Sequence, residues 1–184
     1  MRFEKFAISG PALIMPSIIG DSRGFFMEVW KDSWFRETIE NVTFVQDNQS
    51  LSRQAGTIRG LHYQSSPYGQ GKLVRCLKGS IFDTAVDIRS GSETFGQWVG
   101  ATLTAEKGEQ LWVPDGFAHG FCTLEPDTSV LYKVTSPYSQ SHDAGIAFDD
   151  PEIGIEWPID ISNAVLSDKD KAQPRLASLR RALY

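Results

Sequence analysis

The run of short segments between Lys72 and Thr135 most constrains the fold. "KLVRCL" (72–77), "SIFDTAVDI" (80–88), "QWVGATLT" (97–104), "QLWVP" (110–114), "HGFCTL" (119–124) and "TSVLYKVT" (128–135) follow one another closely. They are rich in β-branched and aromatic residues and are separated by "KGS", "SGSETFG", "EKGE" and "PDG". Strand-forming runs at such spacing, punctuated by glycine and aspartate, predict an all-β sandwich or barrel. Long helical periodicity is missing from this block, which argues against a parallel βαβ architecture.

Helix is expected only at the margins. "DSWFRETIE" (32–40) suits about two turns, with Asp32 or Ser33 as its cap. At the end, "LASLRRALY" sets Leu176, Leu179 and Leu183 on one face. No repeat or linker divides the 184 residues, so one domain spanning 1–184 is expected.

Charge and cysteine use narrow the function. A net charge of −5 argues against nucleic-acid binding, and an anionic ligand must then be met by a few placed cations. Cys76 and Cys122 sit singly inside apolar runs, the pattern of buried free thiols. "MRFEKFAISG" has no long apolar core, and no run approaches the roughly 20 residues that span a bilayer. The expectation is a soluble cytoplasmic protein with no membrane contact.

Strand alternation sorts the side chains that carry chemistry. Tyr132 shares a face with Val130 and Val134, which encloses its hydroxyl, and Lys72 shares one with Val74 and Cys76. Such a lysine either snorkels to water or reaches for an anion. In "RGLHYQ", His62 alternates with Gly60 and Gln64, whereas Arg59 lies on the side of Leu61 and Tyr63. Arg59 and His62 can line one pocket only if the segment starts as a loop or carries a bulge, for which Gly60 is suited.

His62 itself has three readings. A lone histidine in a β-rich core is most often hydrogen-bonded and structural. A metal site is disfavoured, because the H-x-H pair of metal-binding cupins is absent: Gln64 stands two after His62, and His119 is alone in "AHGF". His142, in "SQSHDAG", reads as an exposed loop residue. As a general base, His62 needs a carboxylate to fix its tautomer. "LSDKDKAQP" offers Asp168 and Asp170, but spacing pairs neither with it, and such a run is ordinarily a solvated turn.

Taken together, "DSRGFFMEVW" (21–30), "FVQDNQS" (44–50), "IRGLHYQ" (58–64), "QGKLVRCLKGSIFDTAVDIRSGSETFGQW" (70–98), "VPDGFAHGF" (113–121), "LYKVTSPY" (131–138), "DDPEIGIEWP" (149–158) and "LSDKD" (166–170) resemble the dTDP-4-dehydrorhamnose 3,5-epimerase family. These ordered blocks cover nearly the whole chain. The resemblance implies a cupin-type jelly roll with short flanking helices and neither metal nor other cofactor. It implies a homodimer that exchanges strands, and a dTDP-4-keto-6-deoxy sugar inverted at C3 and C5. It makes His62 the base, Tyr132 the acid, Asp170 the group orienting His62, and Lys72 the cation for enolate charge. Substrate contacts carry over to Arg23, Glu28, Gln46, Asp47, Asn48, Arg59, Lys72, His119 and Lys169, and thymine stacking to Tyr138. Phe25 and Phe26 fall on an arm that reaches the partner's site. Asp143 stands where the family commonly has glutamate. The rival readings are an epimerase acting at a single carbon and a nucleotide-sugar-binding cupin without catalysis.

Overall fold

The computed structural model describes residues 1–179, in thirteen strands, three short α-helices and one 3-10 turn at Ile161–Asn163. The strands are β1 (Arg2–Lys5), β2 (Ala12–Met15), β3 (Ile18–Asp21), β4 (Gly24–Met27), β5 (Gln46–Ser52), β6 (Ile58–Gln64), β7 (Lys72–Lys78), β8 (Ser80–Asp87), β9 (Trp98–Thr104), β10 (Gln110–Val113), β11 (Phe117–Thr123), β12 (Thr128–Val134) and β13 (Asp143–Gly145). Helix α1 is Asp32–Thr38, α2 is Asp168–Lys171 and α3 is Leu176–Leu179. All six segments expected between Lys72 and Thr135 are strands.

One sheet runs β1-β2-β10-β7-β12-β5 and the other β13-β6-β11-β8-β9, every named pair antiparallel. Together they form the jelly roll. Apart from β1 with β2 and β8 with β9, neighbours in these sheets are not consecutive in sequence, as in β12 beside β7, so hairpins alone do not build them. Alternation gives each sheet an inner face, and the two meet in a core of Val74, Cys76, Ile81, Leu103, Leu111, Phe117 and Phe121. On the outer face of the six-stranded sheet, Trp112 of β10 and Leu73 of β7 are covered by Phe35 of α1. That of the five-stranded sheet is sealed by Ile146, Trp157 and Leu176 from the C-terminal segment. Cys76 lies in the inner core and Cys122 outside it, both buried and unpaired, as expected.

Three details differ from expectation. Helix α1 is capped by Lys31 without a side-chain bond, while Asp32 instead takes Arg36 at 2.8 Å across one turn. The run around Asp170 is no open turn: Ser167 caps α2, accepting from the Asp170 backbone N–H at 3.1 Å, and the Asp170 side chain is only 5% exposed. Of the expected C-terminal face, Leu176 is buried and Leu179 packs nearby, while Leu183 lies outside the described residues. β3 and β4 form a separate hairpin whose Phe25 and Phe26 are 62% and 68% exposed. No helix among the described residues is long and apolar enough to cross a membrane.

Candidate active site

Arg59 and His62 reach the same pocket because β6 bulges. Opposite His119 and Phe121 of β11 stand His62 and Arg59, so β6 uses one residue more than its partner there. Both side chains then fall on the inner face, while Ile58 and Leu61 pack outward. Gly60 permits this. Its φ is +142°, and a Cβ on it would lie 2.5 Å from the Gly120 Cα, so β6 and β11 approach through two glycines.

The cleft between the sheets has two lobes, of about 400 and 290 Å³, which share His62, Lys72, Tyr132 and Lys169. The six-stranded sheet contributes Lys72 from β7, Tyr132 from β12, and Gln46 and Asn48 from β5. The five-stranded sheet contributes Arg59 and His62 from β6 and His119 from β11. Helix α2 adds Lys169 and Asp170.

His62 Nε2 lies 2.6 Å from Asp170 Oδ1, and the Ser167 hydroxyl donates to Oδ2 at 2.6 Å. Burial pushes the Asp170 carboxyl up, but the bonds from His62, Ser167 and the Gly60 backbone outweigh it and hold it below the usual carboxylate range. The carboxylate therefore accepts the His62 Nε2–H, which leaves Nδ1 as the nitrogen that can take a proton. Lys72 is 7% exposed and donates to the His62 carbonyl at 3.2 Å. Burial pushes its ammonium down to about 8, with Asp143 and Asp83 opposing and Lys169 adding. At neutral pH it stays charged in a dry place. Burial pushes the Tyr132 hydroxyl up, Arg59 pulling against it and Asp143 adding, so the phenol keeps its proton.

At the mouth, Tyr138 is 58% exposed and donates to Asp143 at 3.0 Å, and Asp143 also pairs with Lys169. Gln64 replaces the second histidine of a metal-binding cupin. Its amide donates to the carbonyls of Tyr68 (2.7 Å) and Pro137 (3.1 Å) and accepts from the Ser139 N–H (2.7 Å), so it braces the loops at the mouth. Among the described residues, no three His, Cys, Asp or Glu side chains gather as a metal site.

Of the residues the sequence singled out, five do not reach the cleft within one chain. Arg23, Phe25 and Phe26 sit on or at the turn of the β3–β4 hairpin, Arg23 paired with Asp21, and Glu28 follows it exposed. Asp47 points away from Gln46 and Asn48 by strand alternation, and pairs with Lys133 at 3.0 Å. His142 is half-buried rather than exposed, its ring 4.6 Å from Tyr68. Two participants went unnoticed: Ser167, and Asp83 of β8, which takes His119 Nε2 at 2.7 Å. Their signals were a helix-cap serine and a lone acid inside the apolar run "SIFDTAVDI".

Residues 5–178 match the family model described as dTDP-4-dehydrorhamnose 3,5-epimerase. A dTDP-4-dehydrorhamnose 3,5-epimerase of Sinorhizobium fredii is 55% identical, covering 97% of this chain and 91% of that protein. The Legionella pneumophila dTDP-6-deoxy-D-glucose-3,5-epimerase, solved in complex with dTDP-4-keto-L-rhamnose, is 44% identical with a TM-score of 0.93, over 99% of this chain and 96% of that one. ChmJ, a 3'-monoepimerase of Streptomyces bikiniensis solved with dTDP-quinovose, is 33% identical with a TM-score of 0.90, over 97% and 90%.

Proposed function

The chain belongs to the dTDP-4-dehydrorhamnose 3,5-epimerase family, and on that premise we propose how its cleft performs the reaction. The substrate is dTDP-4-dehydro-6-deoxyglucose, and the product, inverted at C3 and C5, is dTDP-4-dehydro-L-rhamnose. The C4 ketone acidifies the protons on both neighbouring carbons, because either carbanion delocalises as an enolate. His62 Nδ1 takes the proton while Asp170, across the 2.6 Å bond, stabilises the imidazolium that forms. Charge then moves to the C4 oxygen, where the Lys72 ammonium meets it in a low-dielectric site. Tyr132, held protonated by burial, returns a proton from the other side of the ring, and configuration inverts.

The observation that carries this reading is the convergence of His62 with its carboxylate, Lys72 and Tyr132 on one cleft. Gln46, Asn48, Tyr138 and Lys169 lie toward the nucleotide end. Inversion at both centres is favoured over the single-centre alternative by the 55% identity to a 3,5-epimerase against 33% to the monoepimerase.

The chain works as a single epimerase domain and as a homodimer. Arg23, Phe25 and Phe26 stand exposed on a hairpin outside their own cleft, which suits an arm that completes the partner's site. A cytoplasmic setting accords with two buried free thiols that need no oxidising compartment.

The test is turnover of the 4-keto substrate in D2O after dialysis against chelator. Deuterium should enter at both C3 and C5, and His62→Ala should abolish exchange while still binding dTDP. Exchange at one carbon would convert the assignment to a monoepimerase; full exchange in His62→Ala would refute the base.

A further inference from the structure

Behind the His62–Asp170 pair lies a second histidine–carboxylate pair that the mechanism above does not use. Asp83, on β8, is completely buried, and its Oδ1 lies 2.7 Å from Nε2 of His119 on β11. His119 is also buried, yet its ring lines the inner lobe beside Lys72, and its Cα is the cross-strand partner of His62. Its other nitrogen, Nδ1, has no hydrogen-bond partner among the described residues. The second oxygen of Asp83, Oδ2, is buried with no partner either.

That unpartnered oxygen is informative. Holding the His119 ring in place needs one acceptor, which an amide would supply without burying a charge. A carboxylate here incurs a desolvation cost that a tether does not require. Two consequences follow from having the charge. Burial pushes the Asp83 carboxyl up, while the charge and bond of His119 and the charge of Lys72 pull it back; in its ionised form it can only accept, so His119 must present Nε2–H to it and turn an unprotonated Nδ1 toward the inner lobe. The same charge acts on the Lys72 ammonium, the cation of the proposed enolate site.

We propose that Asp83 is a positioning residue: it fixes His119 as the Nε2–H tautomer, so that Nδ1 accepts a hydroxyl of the sugar ring, and its charge holds Lys72 in the ammonium form. The inference rests on the epimerase reading for its activity arm, whereas the tautomer is a property of the ligand-free protein.

Burial pushes His119 down despite Asp83, with Lys72 and His62 adding, so the ring stays neutral. The other groups around Lys72 are His62 and Arg59 of β6, Tyr132 of β12, Asp143 of β13, and Lys169 and Asp170 of α2. Asp143 supports its charge as Asp83 does, while Lys169 opposes it. Removing Asp83 leaves that opposition less balanced.

The chain has three histidines, so 15N-histidine NMR resolves the question directly. In the wild type without ligand, His119 should show a protonated Nε2 and an unprotonated Nδ1, unchanged from pH 6 to 9. A protonated Nδ1, or an imidazolium at neutral pH, overturns the proposal without any variant, and whatever the substrate proves to be. In Asp83→Asn, the alkaline limb of the kcat–pH profile should move about one unit lower, with kcat reduced more than KM is raised. A merely structural Asp83 would leave that limb in place at any level of activity, and an unmoved limb in folded Asp83→Asn refutes the charge role. Should the wild type fail to turn over the sugar nucleotide, the functional reading falls while the tautomer result stands.

Discussion

Replacing Lys72 with methionine should make the protein more stable and almost inactive at once. Its ammonium sits 7% exposed, and burial lowers it from 10.5 to about 8. At about 1.4 kcal/mol for each tenfold change, carrying the charge there costs the fold roughly 3 kcal/mol. Its bond to the His62 carbonyl, 3.2 Å long, returns about 1 kcal/mol. An apolar chain of similar length therefore recovers roughly 2 kcal/mol, or about 4–8 °C in melting temperature for a domain of this size. Losing a preorganised cation at the enolate oxygen should lower kcat by about 10²–10³. The sign with pH is fixed as well. The folded value lies below the unfolded one, so the wild type gains stability as pH rises from about 8 to 10.5. The difference in melting temperature between the two proteins should close over that window, and wild-type activity should decline as pH passes about 8. Calorimetry and the deuterium-exchange assay read the two effects separately. A natively folded Lys72→Met that melts below the wild type, or keeps more than about a tenth of its turnover, would refute the reasoning.

Two further substitutions probe the frame around the site. Gly60→Ala should lose roughly 2–5 kcal/mol of stability, because its Cβ would meet the Gly120 backbone at 2.5 Å in a left-handed conformation; wild-type melting and activity together would dismiss the bulge as the device that aligns Arg59 with His62. Asp87, buried at the end of β8, accepts from Arg89, Ser92 and Thr94, and although burial pushes it up these bonds bring it down to about 2. Its folded value lies below the unfolded 3.8, so its stabilisation of roughly 2 kcal/mol is present above about 3.8 and is lost as pH falls through about 2. Asp87→Asn should melt about 4–8 °C lower at pH 7 with unchanged kcat; an unchanged melting temperature would show that the network contributes nothing.

The strands between Lys72 and Thr135 were readable because most are buried on both faces, which fills them with apolar and β-branched residues between turn glycines. β5 carries no such signal: "QDNQSLS" turns Gln46, Asn48 and Ser50 into a polar cleft, so the residues that make it useful hide it as a strand. Asp170 was hidden for a different reason. Its 108-residue separation from His62 is closed by the tertiary fold, so spacing and composition do not tell it from the exposed Asp168 two positions earlier, and only the family resemblance singles it out. The Arg59 problem was posed correctly by alternation, and the glycine needed to escape it was visible. Asp47 shows the same rule working against a motif: beside two cleft residues on a strand, it has to face the other way.

An acidic protein that takes a diphosphate must keep some cations free of its own carboxylates, and the cleft does so selectively. Each cleft carboxylate is engaged: Asp170 by His62, Asp83 by His119, and Asp143 by Lys169 and Tyr138. Arg59 has only neutral partners, the Ser52 hydroxyl and the Leu51 carbonyl, and Lys72 only the His62 carbonyl. Among the described residues, these two cleft cations have no carboxylate within salt-bridge distance. Lys169 differs, since a phosphate must compete with Asp143 for it, and that competition weakens its hold on the anion. The positive field offered to ligand is therefore concentrated on Arg59 and Lys72, where the sheets converge on His62, and the net charge of −5 does not report it.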